Sequence, residues 1–206
     1  MSEEKKEDKK QKPDEPTWGS EPKSGDSSDD GVKVVGRDLY FYAGIGRGSI
    51  LSLNEELKKL DVKMLTQAAQ NDCDPLPIRL HIHSYGGSVF AGIAGMEAIR
   101  KCRVPVHTIV DGCAASAATF LSVVGEQRFM HEQSYMLIHQ LSSGMWGKFQ
   151  EFEDKMKNLK ELMDMIKRTY LRHAKIPAKK LERILKHDLW FNSKTCLRYG
   201  LVDEVI

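Results

Sequence analysis

Residues 78–125 read IRLHIHSYGGSVFAGIAGMEAIRKCRVPVHTIVDGCAASAATFLSVVG. Ile78, Leu80 and Ile82 alternate with Arg79, His81 and His83, the two-residue period of a strand with one buried face. Gly86-Gly87 supply a turn, and SVFAGIAGMEAIRKC then carries apolar groups at helical spacing. VPVHTIVDG follows as a strand of the fully buried type, and AASAATFLSVVG as a second helix closed by Gly125. Strands that alternate with helices imply βαβ crossovers and a mainly parallel, twisted sheet, so the chain is α/β.

Working outward, GVKVV and DLYFYAG upstream are rich in β-formers. A helix is expected from Ser52 to about Gln70, with Ser52, Asn54 and Glu55 suited to its N-terminus. Downstream, YMLIHQ reads as another strand. A long helix follows Gly147, in which Phe149, Phe152, Met156, Leu159, Met163, Ile166 and Tyr170 alternate spacings of three and four. Such a seam is the buried face of an amphipathic helix or a contact between helices. The expectation is burial between protomers rather than wholly within one, because a chain of this size already has strands and two helices to fill its core.

Composition changes sharply near residue 31. The first thirty residues hold ten acids and six bases, with Met1 and Trp18 as the large apolar groups, so a disordered charged tail is expected over 1–30 and a folded domain over 31–206. The net charge of +2 then divides into about −4 and about +6, and neither part is a concentrated basic face of the kind that binds nucleic acid. No apolar run approaches the ~20 residues that cross a bilayer, and MSEEKKEDKKQK lacks the apolar core of a secretory signal. Cys73, Cys102, Cys113 and Cys196 form no CxxC pair and read as reduced thiols, in keeping with a cytoplasmic protein.

Few residues offer chemistry. Ser116, in GCAASAATF, stands where a strand gives way to a helix, a place for a nucleophile and equally for a helix cap. His139, in LIHQL, closes a strand, where a histidine is a general base or an ordinary strand-end polar group. Asp188, in KHDLWFN, is placed to hold an imidazole in one tautomer or to serve as a loop acid. Gly86-Gly87 offers exposed N–H groups, the material of an oxyanion hole or of a plain tight turn. His81 and His83 share a strand face without a cysteine or acidic partner at metal-ligand spacing, and no GxxxxGK[ST] is present. Neither a metal nor a cofactor is called for.

Taken together and in this order, HSYGGSVFAGIAGMEAIR, VHTIVDGCAASAATFLSVVG, YMLIHQ and WFNSKTCLRYGLVDEVI resemble the Clp protease family, its proteolytic subunit, over roughly residues 34 to 206. The resemblance implies a crotonase-like α/β fold, a βαβ spiral with a long protruding handle helix. It further implies a serine endopeptidase whose triad is Ser116, His139 and Asp188, with Gly87 and Ala117 donating the oxyanion-hole N–H groups. Gly86, Gly144 and Trp146 lie in the segments that would meet substrate. Unfolded polypeptides are the implied substrates, and a stacked homo-oligomeric double ring, a tetradecamer, the implied assembly, with an AAA+ unfoldase as partner in trans.

The chain also departs from the family pattern. Tyr85 and Leu141 stand where prolines are usual, Met145 and Trp146 are added after the histidine motif, and the charged tail replaces apolar axial loops. These departures also suit a virus-encoded relative. Two other classes share the fold: acyl-CoA enzymes of the crotonase type, which have no need of the serine, histidine and aspartate together, and scaffolding ring subunits, which usually lose a triad member.

Overall fold

The computed structural model describes residues 31–144 and 146–206. The tail expected over 1–30, and Met145, lie outside the described residues.

Two strands, β1 (Val32–Val35) and β2 (Asp38–Phe41), form an antiparallel hairpin across Gly36, whose φ of 66° is the left-handed conformation that a tight hairpin turn requires. Helix α1 (Arg47–Asn71) comes next, and it begins more than a turn before the expected start at Ser52. The hydroxyl that closes its first turn is Ser49, whose Oγ accepts from Gly46 N–H at 3.1 Å. Ile50, Leu53, Leu57, Leu60 and Met64 recur every three or four residues along α1 and enter the core, each such burial contributing roughly 1.5–3 kcal/mol.

β3 (Ile78–Ser84) lies parallel to β2, and its burial alternates as the sequence requires. Helix α2 (Val89–Lys101), capped by the Ser88 hydroxyl, leads to β4 (Val106–Ala115). β4 is the longest strand and the one that positions the site. Its first half, His107 to Val110, pairs with β5 (Gln127–Met130), and its last residues, Cys113 to Ala115, pair with β6 (Tyr135–Leu137). Between those halves the register against β3 slips, from Ile82 opposite Val110 to Ser84 opposite Ala114, an irregularity that re-aims the strand end. β6 carries β7 (Trp190–Asn192) antiparallel, and β5 carries β8 (Glu204–Val205) in parallel. The sheet order is β1-β2-β3-β4-β5-β8, with β6 and β7 branching from β4.

The remaining helices are α3 (Ala118–Val123), buried along its whole length, α4 (Phe149–His173), α5 (Ala178–Ile184) and α6 (Ser193–Tyr199). α4 divides the heptad seam. Ile166 and Tyr170 are buried within this chain's own core, whereas Phe149 is 77% and Met156 46% exposed. The seam is therefore shared: its root belongs to the domain and its tip is open. Among the described residues no helix is long and apolar enough to cross a membrane.

Candidate active site

Ser116 occupies the abrupt passage from β4 to α3. Its φ is 55°, a left-handed conformation that costs a non-glycine residue ~1–2 kcal/mol and persists only where the surroundings over-determine it. They do so here. Ser116 N–H donates to the Leu137 carbonyl at 2.8 Å, which ties the turn to β6. Its own carbonyl accepts from Thr119 N–H at 3.0 Å and from the Thr119 hydroxyl at 2.6 Å. The backbone of Ser116 is thus held at the strand-to-helix elbow.

His139 follows β6, one strand over from Ser116. Its Nε2 lies 2.8 Å from Ser116 Oγ, and its Nδ1 lies 2.7 Å from Asp188 Oδ1. An ionised carboxylate only accepts hydrogen bonds, so Nδ1 carries the proton and Nε2 is left to accept from the Ser116 hydroxyl. The carboxylate side of the pair is open, since the Asp188 side chain is 76% exposed against 25% for His139. Backbone pairing brings these two segments together. Gln140 N–H donates to the Leu185 carbonyl at 2.7 Å, and Leu137 stands opposite Trp190 in the β6–β7 register.

The glycine turn lies against the elbow. A Cβ on Gly86 would come within 2.6 Å of the Ala115 carbonyl oxygen and 2.7 Å of Ser116 Cβ, and one on Gly87 within 2.4 Å of the Ile45 carbonyl oxygen. Both positions have positive φ, 97° and 144°, so both requirements, space and conformation, call for glycine. The Gly86 carbonyl accepts from Ile45 N–H at 2.7 Å. A trans peptide sets the next N–H opposite to that carbonyl, so Gly87 N–H points away from Ile45. Among the described residues no backbone carbonyl accepts from Gly87 N–H or Ala117 N–H.

Of the sequence-predicted site residues, the structure brings together Ser116, His139, Asp188, Gly86, Gly87 and Ala117. It leaves the other two on the surface. Nothing lies within 4 Å of the place a Cβ would take on Gly144, whose carbonyl accepts from Lys155, and Trp146 is fully exposed. Tyr85, the residue in the usual place of a proline, stands between His83 and Trp190 with its ring edge-on to both, at 6.0 and 6.2 Å. It thereby joins the glycine turn to the strand that follows Asp188.

His81 and His83 share a face of β3, and His81 lies in a polar network. His81 lies between Asp111 (3.0 Å) and Asp38 (3.3 Å), Tyr42 and His131 also reach Asp111, and Arg79 pairs with Asp38. Burial alone would lower the His81 pKa, but the hydrogen bonds and charges of Asp111 and Asp38 outweigh it and the net shift is upward. Burial likewise works to raise Asp111, and its bonds to His81 and Tyr42 turn that into a net lowering. Among the described residues no group of three or more His, Cys, Asp or Glu side chains is arranged to hold a metal ion.

Sequence reasoning did not find Thr119, Tyr170, Leu137 or Leu185, which hold the site from behind. Backbone carbonyls leave no mark in a sequence. Tyr170 did leave one, a hydroxyl at the buried end of an otherwise apolar seam.

Comparison with known proteins places this geometry in context. The family model described as Clp protease matches residues 49–206. Similar curated proteins include the ATP-dependent Clp protease proteolytic subunit of Deinococcus radiodurans, 34% identical over 131 residues that cover 63% of this chain and 64% of that protein. The ATP-dependent Clp protease proteolytic subunit 2 of Treponema denticola is 32% identical over 155 residues, 74% of this chain and 77% of that one. The chain thus spans just under two thirds of the Deinococcus relative's length and about three quarters of the Treponema relative's. Among solved structures, a ClpP1 mutant from Listeria monocytogenes matches with a TM-score of 0.68 at 23% identity, covering 80% of this chain and 88% of that one. That likeness shows the fold, the crotonase-like α/β architecture of Clp proteases.

Proposed function

The chain belongs to the Clp protease family, and from that premise we propose that it is a serine endopeptidase subunit that cleaves unfolded polypeptides by acyl transfer to Ser116. His139 Nε2 takes the hydroxyl proton as Ser116 Oγ attacks the scissile carbonyl, and it later gives that proton to the leaving amine. Asp188 holds the Nδ1 proton and stabilises the imidazolium that forms. The N–H groups of Gly87 and Ala117 receive the oxyanion, and removal of one such donor costs ~10²- to 10³-fold in rate. Water then releases the acyl group by the reverse sequence.

The observation that carries this reading is the unbroken chain of contacts, 2.8 Å from Ser116 Oγ to His139 Nε2 and 2.7 Å from His139 Nδ1 to Asp188. An acyl-CoA enzyme or a scaffolding subunit has no use for it. The assembly proposed is a homo-oligomeric double ring in which the open tip of α4 meets other protomers, and an AAA+ unfoldase is the proposed partner in trans. The charged tail over residues 1–30 is proposed to contribute no catalytic group.

Hydrolysis of a short fluorogenic peptide by the wild type and by Ser116→Ala tests the reading. The substitution removes one oxygen from an alanine-rich site, so folding and assembly should persist while turnover disappears. Wild-type turnover by Ser116→Ala would refute the assignment.

A further inference from the structure

The strained conformation of Ser116 is held from a place the catalytic reading does not use. The Ser116 carbonyl accepts from the Thr119 hydroxyl at 2.6 Å, and Thr119 Oγ1 lies 2.6 Å from the Tyr170 hydroxyl. Thr119 is fully buried and Tyr170 is 1% exposed. The proton directions follow from valence. A carbonyl oxygen only accepts, so the single Thr119 hydroxyl proton goes to Ser116, and Thr119 Oγ1 must then accept from Tyr170. Burial pushes the Tyr170 phenol above its ordinary range, so it stays protonated and remains a donor. The chain Tyr170 O–H to Thr119 O–H to Ser116 C=O is polarised in one direction throughout, and each bond strengthens the next.

Tyr170 stands on α4, four residues after Ile166 at the buried root of that helix, with its ring tilted against Phe120 of α3 at 6.2 Å. α4 therefore does more than extend from the domain. We propose that Tyr170 and Thr119 are positioning residues for the nucleophile, with the Tyr170 hydroxyl acting through Thr119 to keep Ser116 at φ 55° and its Oγ within reach of His139. The inference rests on the assignment of Ser116 as the nucleophile. A left-handed residue relaxes when its carbonyl anchor loosens, and a displacement of the order of an ångström in a nucleophile reduces the rate without altering substrate affinity.

Kinetics on a short peptide and the rate of fluorophosphonate labelling, measured with the thermal midpoint, test this in the full chain. Tyr170→Phe removes only the terminal hydroxyl. It should lower kcat and the labelling rate together by about three- to tenfold, with KM unchanged. Thr119→Val, which removes the middle link, should lower both further, Thr119→Ser should recover most of that loss, and adding Tyr170→Phe to Thr119→Val should cost little more. Ile166→Val trims the same buried face of α4 without touching a hydroxyl, and it should lower the midpoint while leaving kcat as in the wild type.

Wild-type kcat and labelling in Tyr170→Phe would overturn the proposal, as would an equal kcat loss in Ile166→Val at matched midpoint. If the wild-type chain neither labels nor hydrolyses, it is the assignment of Ser116 as nucleophile that fails. The positioning claim is then decided by a crystal structure of Tyr170→Phe. Ser116 spread over more than one conformer upholds it, and a single conformer that keeps the 2.8 Å contact with His139 rejects it.

Discussion

Two stretches of this chain are built on opposite principles. Around Ser116 the backbone is closed on itself: N–H to Leu137, carbonyl to Thr119, Gly86 against the Cβ, and Tyr170 behind. From Trp146 to Met156 the chain is open, with Trp146 fully exposed, Phe149 77% and Met156 46% exposed. The first region fixes a high-energy conformation by surrounding it with partners, and its geometry is therefore encoded within one protomer. The second holds large apolar side chains that the other described residues leave uncovered, the mark of a surface that meets a partner. In the reading proposed above, substrate and neighbouring protomers are those partners.

The sharpest way to break this contrast is at Gly86. An alanine there meets backbone at 2.6 Å and the Ser116 Cβ at 2.7 Å, at a φ of 97°. Neither obstacle is a flexible side-chain end, so the elbow must shift. Peptide hydrolysis by Gly86→Ala should fall by at least about 100-fold, together with the thermal midpoint, and a variant with normal turnover would show that the elbow is not closed as described.

At the open region the expected effect is on mass rather than on folding. Phe149→Glu combined with Met156→Glu places charge at the tip of α4, where each side chain is exposed within one protomer. The stability of the protomer should change by no more than about 0.5 kcal/mol, while light scattering should report a smaller assembly than for the wild type. An unchanged mass would remove the tip from the interface.

A smaller effect belongs to the polar face of β4, where Asp111 lies on the strand that leads to Ser116. His81 has a raised pKa in the folded state, so its contribution is complete below the unfolded value near 6.5 and is lost as pH rises through the folded value. Asp38 and Asp111 have lowered values, so theirs is present above the ordinary carboxylate range and is lost as pH falls. As pH rises above the ordinary histidine value near 6.5 the wild type should therefore lose thermal midpoint relative to His81→Gln, the opposite contributions of His107 and His173, whose values are lowered, being common to both proteins. The same pH dependence of the midpoint in both proteins would remove His81 from this role. The smallest change is expected for Trp146→Ala, a roughly two- to fivefold rise in KM for peptide with kcat unchanged. A fall in kcat instead would place Trp146 with the closed region.

The contrast also explains how much could be read from the sequence. Strand β3 and helix α2 were legible because their apolar positions follow a period that one buried face imposes, and β4 because it is an apolar run of the fully buried type. β5 was not, since Gln127 and Arg128 lead a four-residue strand that is held by tertiary contacts, Arg128 bonding Asp203 and the Gly200 carbonyl. The start of α1 was misplaced because Ser52 and Ser49 are equivalent cap formers on paper, and the carbonyl of Gly44 together with the Gly46 N–H decides for Ser49. Ser116, His139 and Asp188 are 23 and 49 residues apart along the chain. Singly each had an ordinary alternative, and it was their joint order within a family resemblance that marked them. The seam on α4 was visible as a seam, but its division into a buried root and an open tip depends on where the domain ends beneath it.

The central claim is that the closed region exists to present one activated serine. Mass spectrometry of the protein after reaction with a fluorophosphonate, with the modified peptide sequenced, tests it most directly. The account expects a single adduct on Ser116, absent in Ser116→Ala and formed far more slowly in His139→Ala. No adduct on the wild-type protein, or an adduct on another serine that persists in Ser116→Ala, would contradict it.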